Sequence, residues 1–344
     1  MNNLKDAKRF AHEICDWYRL HHRKLPFRET HDPYKIMVSE LMLQQTQMET
    51  VLPYYQRFIE RFPDVATLAS AKDTEVLKYW EGLGYYRRAR YLHQAAIQIV
   101  EEHHGAFPKE YQAIKNLKGV GEYTAGAIHS IAFNQPSPAI DGNVHRVLSR
   151  VIEYQADVST RESHHHFEKI LKNLIKHEVP RYFTQAMMEL GALVCKKNPL
   201  CHECPVSHHC KAYQSGKQMD YPVKKSKKPI VNEEYFTFLL INEDNKAVLI
   251  RRPEKGLLAN LLAFPQYHMN DLDDALKQFE NDFNVVVDSV NYRFDVTHIF
   301  SHKKWCMHVY QLEVKTFPNR LKFYDLKALP EAISKAHAKI IENI

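Results

Sequence analysis

Apolar residues along the first 214 positions recur at helical spacing. Phe10, Ile14, Trp17 and Tyr18 form one such stripe, and Tyr34, Met37, Val38, Leu41 and Met42 form another. The same period predicts helices near 49–62, 87–103, 122–133, 144–153, 164–176 and 182–194. Short punctuated loops such as Phe107-Pro108 and Gln135-Pro136-Ser137-Pro138 separate them. Residues 215–231 break the pattern with Gly216, Pro222, Pro229 and the basic run Lys224, Lys225, Lys227 and Lys228, which reads as an exposed linker with incidental electrostatic help. Beyond it the period changes. Residues 235–241 and 247–250 are rich in β-branched and aromatic residues around a turn at 242–246, and 292–300 and 305–314 read as further strands. Helices are expected over 271–283 and 331–341. The pattern therefore predicts a mainly α domain over 1–214 and an α+β domain over 232–344.

Length agrees with this division, because 344 residues exceed what one core comfortably serves. The net charge of +6 leans weakly toward a polyanionic partner. The polar start of the chain and the lack of a long apolar run give the expectation of a cytoplasmic protein without a membrane span. Four of the six cysteines, Cys195, Cys201, Cys204 and Cys210, crowd into one C-x5-C-x2-C-x5-C segment. Such a quartet can close on a structural zinc or on an iron–sulfur cluster, and spacing alone leaves both open.

Two further segments suggest chemistry. Gly119 and Gly121 lie in Leu117–Gly126 between two helical patterns. They permit a tight turn whose outward N–H groups, at a helix N-terminus, suit a phosphate; a plain helix hairpin is the alternative. Asp141 directly precedes a helix in Ile140-Asp141-Gly142-Asn143-Val144 and by itself would be an N-cap. The hairpin (about 111–130) followed by this aspartate resembles the helix–hairpin–helix DNA glycosylases. Leu25-Pro26-Phe27-Arg28, Ser39-Glu40-Leu41-Met42-Leu43-Gln44-Gln45-Thr46 and Gly82-Leu83-Gly84-Tyr85-Tyr86-Arg87-Arg88 resemble the signatures of the MutY-type adenine glycosylases in that superfamily, and the likeness extends through essentially the whole chain.

That resemblance implies a monofunctional enzyme that removes adenine mispaired with 8-oxoguanine or guanine. It implies Glu40 as catalytic acid and Asp141 as the carboxylate facing the sugar cation. Arg28, Leu43, Tyr123, Asn143, Gln185 and Glu189 would hold the adenine nucleotide. For Gln185 and Glu189 the alternative is a solvated helix face, which their apolar neighbours Ala186, Met187, Met188 and Leu190 disfavour. Endonuclease III-type relatives carry a lysine nucleophile where this chain has Tyr123, which cannot form a Schiff base. Gln44, Gln45 and Tyr85 would fill the gap left by the flipped base; core packing is the alternative for Tyr85. Gly119 and Gly121 would contact the backbone. Phe27 stands where the family has Trp and is expected to pack against a base.

The same resemblance turns the quartet at 195–210 into a 4Fe–4S loop, one residue shorter in its first gap than the family pattern. Lys211 and the neighbouring histidines would face DNA. Residues 232–344 resemble a Nudix-like domain in which Phe300, Ser301 and His302 would sense 8-oxoguanine; a β-turn with a serine and a surface histidine is the alternative. The helix at 271–284 lacks the acidic pattern of a working Nudix hydrolase. The implied partner is double-stranded DNA, bound by a monomer at a bacterial nucleoid. A rival class is a zinc deaminase, drawn from His166-Phe167-Glu168 and Cys201-x-x-Cys204, but Leu200 stands where that motif needs proline.

Overall fold

A computed structural model describes residues 6–225, 230–315 and 321–344. The chain separates into two compact units, Met1–Ala71 with Arg87–Ser226, and Lys72–Tyr86 with Lys227–Ile344. Helices run in the order α1 (Ala7–His21), α2 (Pro26–Glu29), α3 (Pro33–Leu43), α4 (Met48–Arg61), α5 (Val65–Ala69), α6 (Asp73–Tyr79), α7 (Arg87–His103) and α8 (Tyr111–Asn116). They continue as α9 (Glu122–Ile131), α10 (Gly142–Ile152), α11 (Arg161–Ile175), α12 (Pro180–Leu193) and α13 (Lys211–Gln214). All of these but α6 belong to the first unit.

Local chemistry sets many of the helix starts. Asp6 accepts from the Arg9 amide at 2.9 Å and opens α1, which buries Phe10, Ala11, Ile14, Cys15 and Tyr18 along one face. Asp32 accepts from the Tyr34 amide at 2.9 Å, with Pro33 at the first helical position of α3. Unlike α1, α3 is buried nearly all round, from Tyr34 to Met42. Helix α12 is likewise buried from Phe183 to Gly191. Polar residues on these two helices are therefore held away from water.

The stretch after α13 is anchored to the first unit rather than a free spacer. Tyr221 is buried and its carbonyl accepts from Arg150 at 3.1 Å, and the Val158 amide donates to the Val223 carbonyl at 3.1 Å. Lys227, Lys228 and Pro229 of the expected linker lie outside the described residues.

In the second unit β1 (Val231–Leu240), β2 (Ala247–Val248), β3 (Ile250–Arg251), β4 (Leu262–Ala263), β5 (Gln266–Tyr267), β6 (Val287–Ile299), β7 (Lys303–Val314) and β8 (Phe323–Tyr324) surround α14 (Leu272–Phe283) and α15 (Lys335–Ile341). The main sheet has the order β5-β1-β7-β6. Strand β1 runs parallel to β7, pairing Val231 with Lys303 through Leu240 with Leu312. Strand alternation serves two cores. Phe238 and Leu240 meet Phe279 of α14, while Leu239, Trp305, Met307 and Val309 meet Ala336 and Ile340 of α15. Strands β1 and β6 both start upstream of the apolar runs that signalled them, because their first residues mix polar and apolar types, none of them buried, yet still pair with β7.

The Gly82–Tyr86 turn also belongs to this unit. Gly82, Gly84 and Tyr85 take φ values of 91°, 77° and 48°. The Trp80 indole donates to the Gly84 carbonyl at 3.0 Å, and the Tyr86 hydroxyl accepts from the Gly82 amide at 3.2 Å. Glu81 accepts from the Ile333 amide at 2.7 Å, so the turn is fixed on the residues preceding α15.

Candidate active site and cysteine loop

The interior of α3 carries Glu40 with its side chain 1% exposed. Arg28, on the short helix α2, approaches Glu40 Oε1 at 3.5 Å with its Nη1, and the Tyr123 hydroxyl of α9 donates to Glu40 Oε2. Burial pushes the Glu40 carboxyl above its ordinary value of 4.5; Arg28 and Tyr123 pull it down, and the nearby negative charge of Asp141 adds to the rise. Arg28 is the hub of this buried cluster. Glu40, Glu189, Tyr123 and Tyr18 all raise its pKa against a strong desolvation. Among the described residues its Nε has no hydrogen-bond partner, and neither does the buried Oε1 of Gln185 on α12, whose Nε2 donates to the Arg181 carbonyl at 3.4 Å. Buried polar atoms left without partners mark places where a polar ligand completes the hydrogen bonding.

Asp141 is the N-cap of α10. Its Oδ1 accepts from the Val144 amide and its Oδ2 from Asn143 Nδ2, each at 2.8 Å. Burial raises its pKa above 3.8, and those hydrogen bonds oppose the rise. Two glycines that sequence reasoning passed over set its position. A Cβ on Gly126 would lie 2.0 Å from the Pro138 carbonyl oxygen, so only glycine lets the strand leading to Asp141 cross α9 this closely. A Cβ on Gly191 would lie 2.5 Å from Asn143 Cβ, so Gly191 makes room for the residue that holds Asp141. Their signal was a small residue inside a buried helix, which names no neighbour.

The remaining expected residues fall in distinct settings. Glu189 takes two hydrogen bonds from Arg23, at 2.9 and 2.8 Å, and so is already paired. Leu43 ends α3, half-buried. Gln44 donates to Thr124 Oγ1 at 3.2 Å, and Gln45 adopts φ 57°. Arg88, which sequence reasoning quoted but gave no role, is buried against the end of α3. Its Nη1 donates to the carbonyls of Leu41 at 3.0 Å, Met42 at 2.7 Å and Gln44, and its Nη2 to Thr46 Oγ1 at 3.0 Å. A cation there satisfies orphan carbonyls at the negative helix end and fixes the Gln44–Gln45 turn. Phe27 departs from expectation: it is 2% exposed, edge-on to Tyr55 at 5.3 Å, and serves the core rather than a base.

Gly119 adopts φ 76° between α8 and α9, and a Cβ there would meet Tyr91 Cβ at 2.4 Å, so both conformation and space demand glycine. Gly121 is the N-cap of α9, exposed and extended, with open space around it. The turn thus offers the N-terminus of a ten-residue helix to solvent.

The four cysteines line one pocket with Val147, Val151, Leu190, Val194 and Val206. Arg150 is 3% exposed and binds the loop from within, donating to Cys195 Sγ at 3.4 Å and to the carbonyls of Lys196 and Lys197 at 2.6 and 3.0 Å. Arg146 bridges toward the carboxylate side, donating to the Cys195 carbonyl at 2.6 Å and to Asn143 Oδ1 at 2.7 Å. Four thiols gathered around one pocket form a donor set that fits a thiolate-ligated metal centre. The deaminase alternative fails: His166 stacks on Tyr154 at 5.1 Å, Glu168 pairs with Lys172 at 2.7 Å, and neither lines the cysteine pocket.

Tyr85 and the 300–302 turn lie in the second unit. Tyr85 is 47% exposed. The Phe300 amide donates to the Lys303 carbonyl at 2.7 Å, closing the turn between β6 and β7. Phe300 packs on Trp305, with ring centroids 4.8 Å apart, while Ser301 and His302 are exposed and lie 3.2 Å apart, Oγ to Nδ1. No helix among the described residues is long and apolar enough to cross a membrane.

Residues 38–173 match the HhH-GPD superfamily of base excision DNA repair proteins, and residues 236–343 match the NUDIX domain family. The chain is 35% identical over 348 residues to the adenine DNA glycosylase of Buchnera aphidicola subsp. Baizongia pistaciae, covering 96% of both chains. It is 33% identical over 378 residues to the adenine DNA glycosylase of Mus musculus, covering 92% of this chain and 73% of the mouse protein. A thermostable thymine-DNA glycosylase superposes with a TM-score of 0.56 at 26% identity, covering 61% of this chain and 98% of that one. Endonuclease III in a trapped covalent intermediate with DNA superposes with a TM-score of 0.54 at 22% identity, over 63% of this chain and 99% of that one, a likeness of fold.

Proposed function

The chain belongs to the adenine DNA glycosylase family, acting on DNA in base excision repair, and from that premise we propose that it excises adenine paired with 8-oxoguanine or guanine without cutting the strand. The observation that carries the mechanism is Glu40, a carboxyl desolvated inside α3 and placed against Arg28 and Tyr123. Adenine leaves poorly as an anion and well once protonated. A carboxyl with a raised pKa keeps a proton to give near neutral pH. Glu40 passes that proton to N7 of the flipped adenine. The bond from the sugar C1′ to N9 then breaks, its electron pair going to the base, and an oxocarbenium ion remains. The Asp141 carboxylate, held by Asn143 and the Val144 amide, stabilises that cation. Water adds to C1′ and returns a proton to Glu40, closing the cycle.

The orphan Oε1 of Gln185 supplies an acceptor for the adenine amine, and the orphan Nε of Arg28 a donor for a ring nitrogen. Leu43, Tyr123, Asn143 and Glu189 complete the nucleotide pocket, with Glu189 acting mainly through the charge it shares with Arg23. Tyr123 offers a hydroxyl where strand cleavage through a Schiff base needs an amine, which supports base removal alone. Gln44, Gln45 and Tyr85 occupy the vacated stack, Gly119 and Gly121 bind phosphate, and Phe300 supports Ser301 and His302 as the reader of 8-oxoguanine. Cys195, Cys201, Cys204 and Cys210 would hold a 4Fe–4S cluster, which would supply structural order to the loop. The enzyme acts as a monomer on nucleoid DNA in the bacterial cytoplasm.

Excess protein mixed with a labelled duplex containing adenine opposite 8-oxoguanine, quenched with and without hot alkali, tests this reading. Strand breakage at the adenine should require alkali, and should be slower when guanine replaces 8-oxoguanine. Breakage without alkali would replace the hydrolytic mechanism with a lyase, and equal rates opposite both purines would remove the reader.

A further inference from the structure

Helix α1 and the 3₁₀ turn Ser207–His209 bring three ligand-bearing side chains together outside the sites described above. Glu13 Oε2 lies 3.1 Å from His208 Nε2 and 3.1 Å from His209 Nε2. The three ligand atoms all fall within 4.8 Å of one another. The two imidazole centroids are 4.1 Å apart. Both rings present the same nitrogen to one carboxylate oxygen, a convergence that suits a dication, to which imidazoles donate lone pairs while the carboxylate cancels charge.

We infer that Glu13, His208 and His209 bind one divalent transition-metal ion of the zinc, cobalt or nickel class, clipping α1 to the cysteine loop. Ligand atoms about 2.0–2.2 Å from a zinc ion sit about 3–3.5 Å from each other, and the two separations from Glu13 Oε2, 3.1 Å each, match. Two nitrogen ligands of three select against magnesium and calcium, which take oxygen. The outer shell is also present. Arg9 Nε donates to Glu13 Oε1 at 2.8 Å and orients the carboxylate, and the buried Phe10 ring meets His209 edge-on at 5.7 Å. His209 is 11% exposed while His208 is 48% exposed, so one side of the site is fixed and the other is open to water as a further ligand. The clip joins residues 13 and 208–209 across a long chain separation, which restrains the segment between Cys204 and Cys210 against α1. It also turns these two histidines toward α1 instead of toward DNA.

Equilibrium dialysis of the chelator-washed full-length protein against zinc chloride, with zinc and iron measured per chain, tests the inference. One zinc should bind while iron stays constant. X-ray absorption at the zinc edge should show nitrogen and oxygen neighbours at about 2.0 Å instead of sulfur at about 2.3 Å. Glu13→Gln and His208→Ala should each weaken binding by more than about 100-fold, since each removes a direct ligand and outer-shell changes alone cost about 10–100-fold. His202→Ala, a histidine of the same loop outside the trio, should leave binding unchanged. His208 is exposed, so its variant folds, and unchanged iron content and visible absorption verify this. Absence of a bound zinc, binding that survives Glu13→Gln and His208→Ala, or zinc that gains sulfur neighbours as iron falls would each overturn the inference.

Discussion

Glu40 and Ser301 stand at opposite extremes of solvent access. Glu40 lies within a helix buried nearly all round, and the reactivity proposed for it comes from what water cannot reach. Ser301 and His302 sit at the tip of a two-strand turn, bonded chiefly to each other, and whatever they recognise must displace water. A buried ionisable group changes its protonation and hence its reactivity, so losing it removes a reaction step. An exposed hydroxyl exchanges one hydrogen bond for another, so losing it removes only a difference between two similar bonds. Mutations at the two places should therefore differ in kind as well as in size.

The largest effect is expected at the acid. Glu40→Gln should slow adenine excision by about 10²–10⁴-fold while binding of the mispaired duplex persists, measured by single-turnover cleavage and a gel-shift assay. Undiminished excision would break the comparison at its buried end. The pH profile sharpens it. Excision should fall as pH rises through the raised pKa of Glu40, because the acid form is consumed. It should also fall at low pH as Asp141, likewise raised, becomes protonated. Stability follows the same sign. A carboxyl with a raised folded-state pKa stabilises fully below its ordinary 4.5, and that contribution is lost as pH rises through the folded value. Urea denaturation across pH should therefore show wild type losing ground to Glu40→Gln as pH rises above the ordinary glutamate range.

A smaller effect is expected where packing positions the second carboxylate. Gly191→Ala forces a Cβ against Asn143 and should cost about 1–3 kcal/mol in urea denaturation, with slower excision through the loosened Asn143–Asp141 bond. Wild-type stability and rate would show that Asn143 can move freely and does not hold Asp141. The smallest effect belongs to the exposed turn. Replacing Ser301 and His302 together by alanine should reduce the preference for 8-oxoguanine over guanine by about 2–10-fold, the worth of a net neutral hydrogen bond, while excision opposite guanine stays unchanged. A loss as large as that at Glu40 would mean the turn contributes to catalysis itself.

Much of this site was legible before any coordinates. Asp141 directly precedes a helical pattern and caps it, and Gly119 takes the positive φ that a glycine-bearing turn suggests. The cysteine quartet could be located by residue type and spacing, and the block around Glu40 by its resemblance to the family signature. The segment 72–86 was not legible as part of the second unit, because its tie to Ile333 joins residues 252 positions apart. The Arg23–Glu189 pair was hidden for the same reason: two ordinary surface-type residues, 166 apart, meet only after folding.

The sequence by itself determined where helices begin, where the strand period takes over, and which residue types could serve acid catalysis or metal ligation. Each depends on neighbours within a few positions, through caps, turns and side-chain period. Tertiary structure alone decided which polar groups are dry. It paired Glu189 with Arg23 and left Arg28 Nε and Gln185 Oε1 without partners among the described residues. It also brought Glu13 to two histidines nearly two hundred residues away. Burial and long-range pairing come from how helices pack against one another, and the upward shift of the Glu40 carboxyl arises only when α3 is enclosed on all sides.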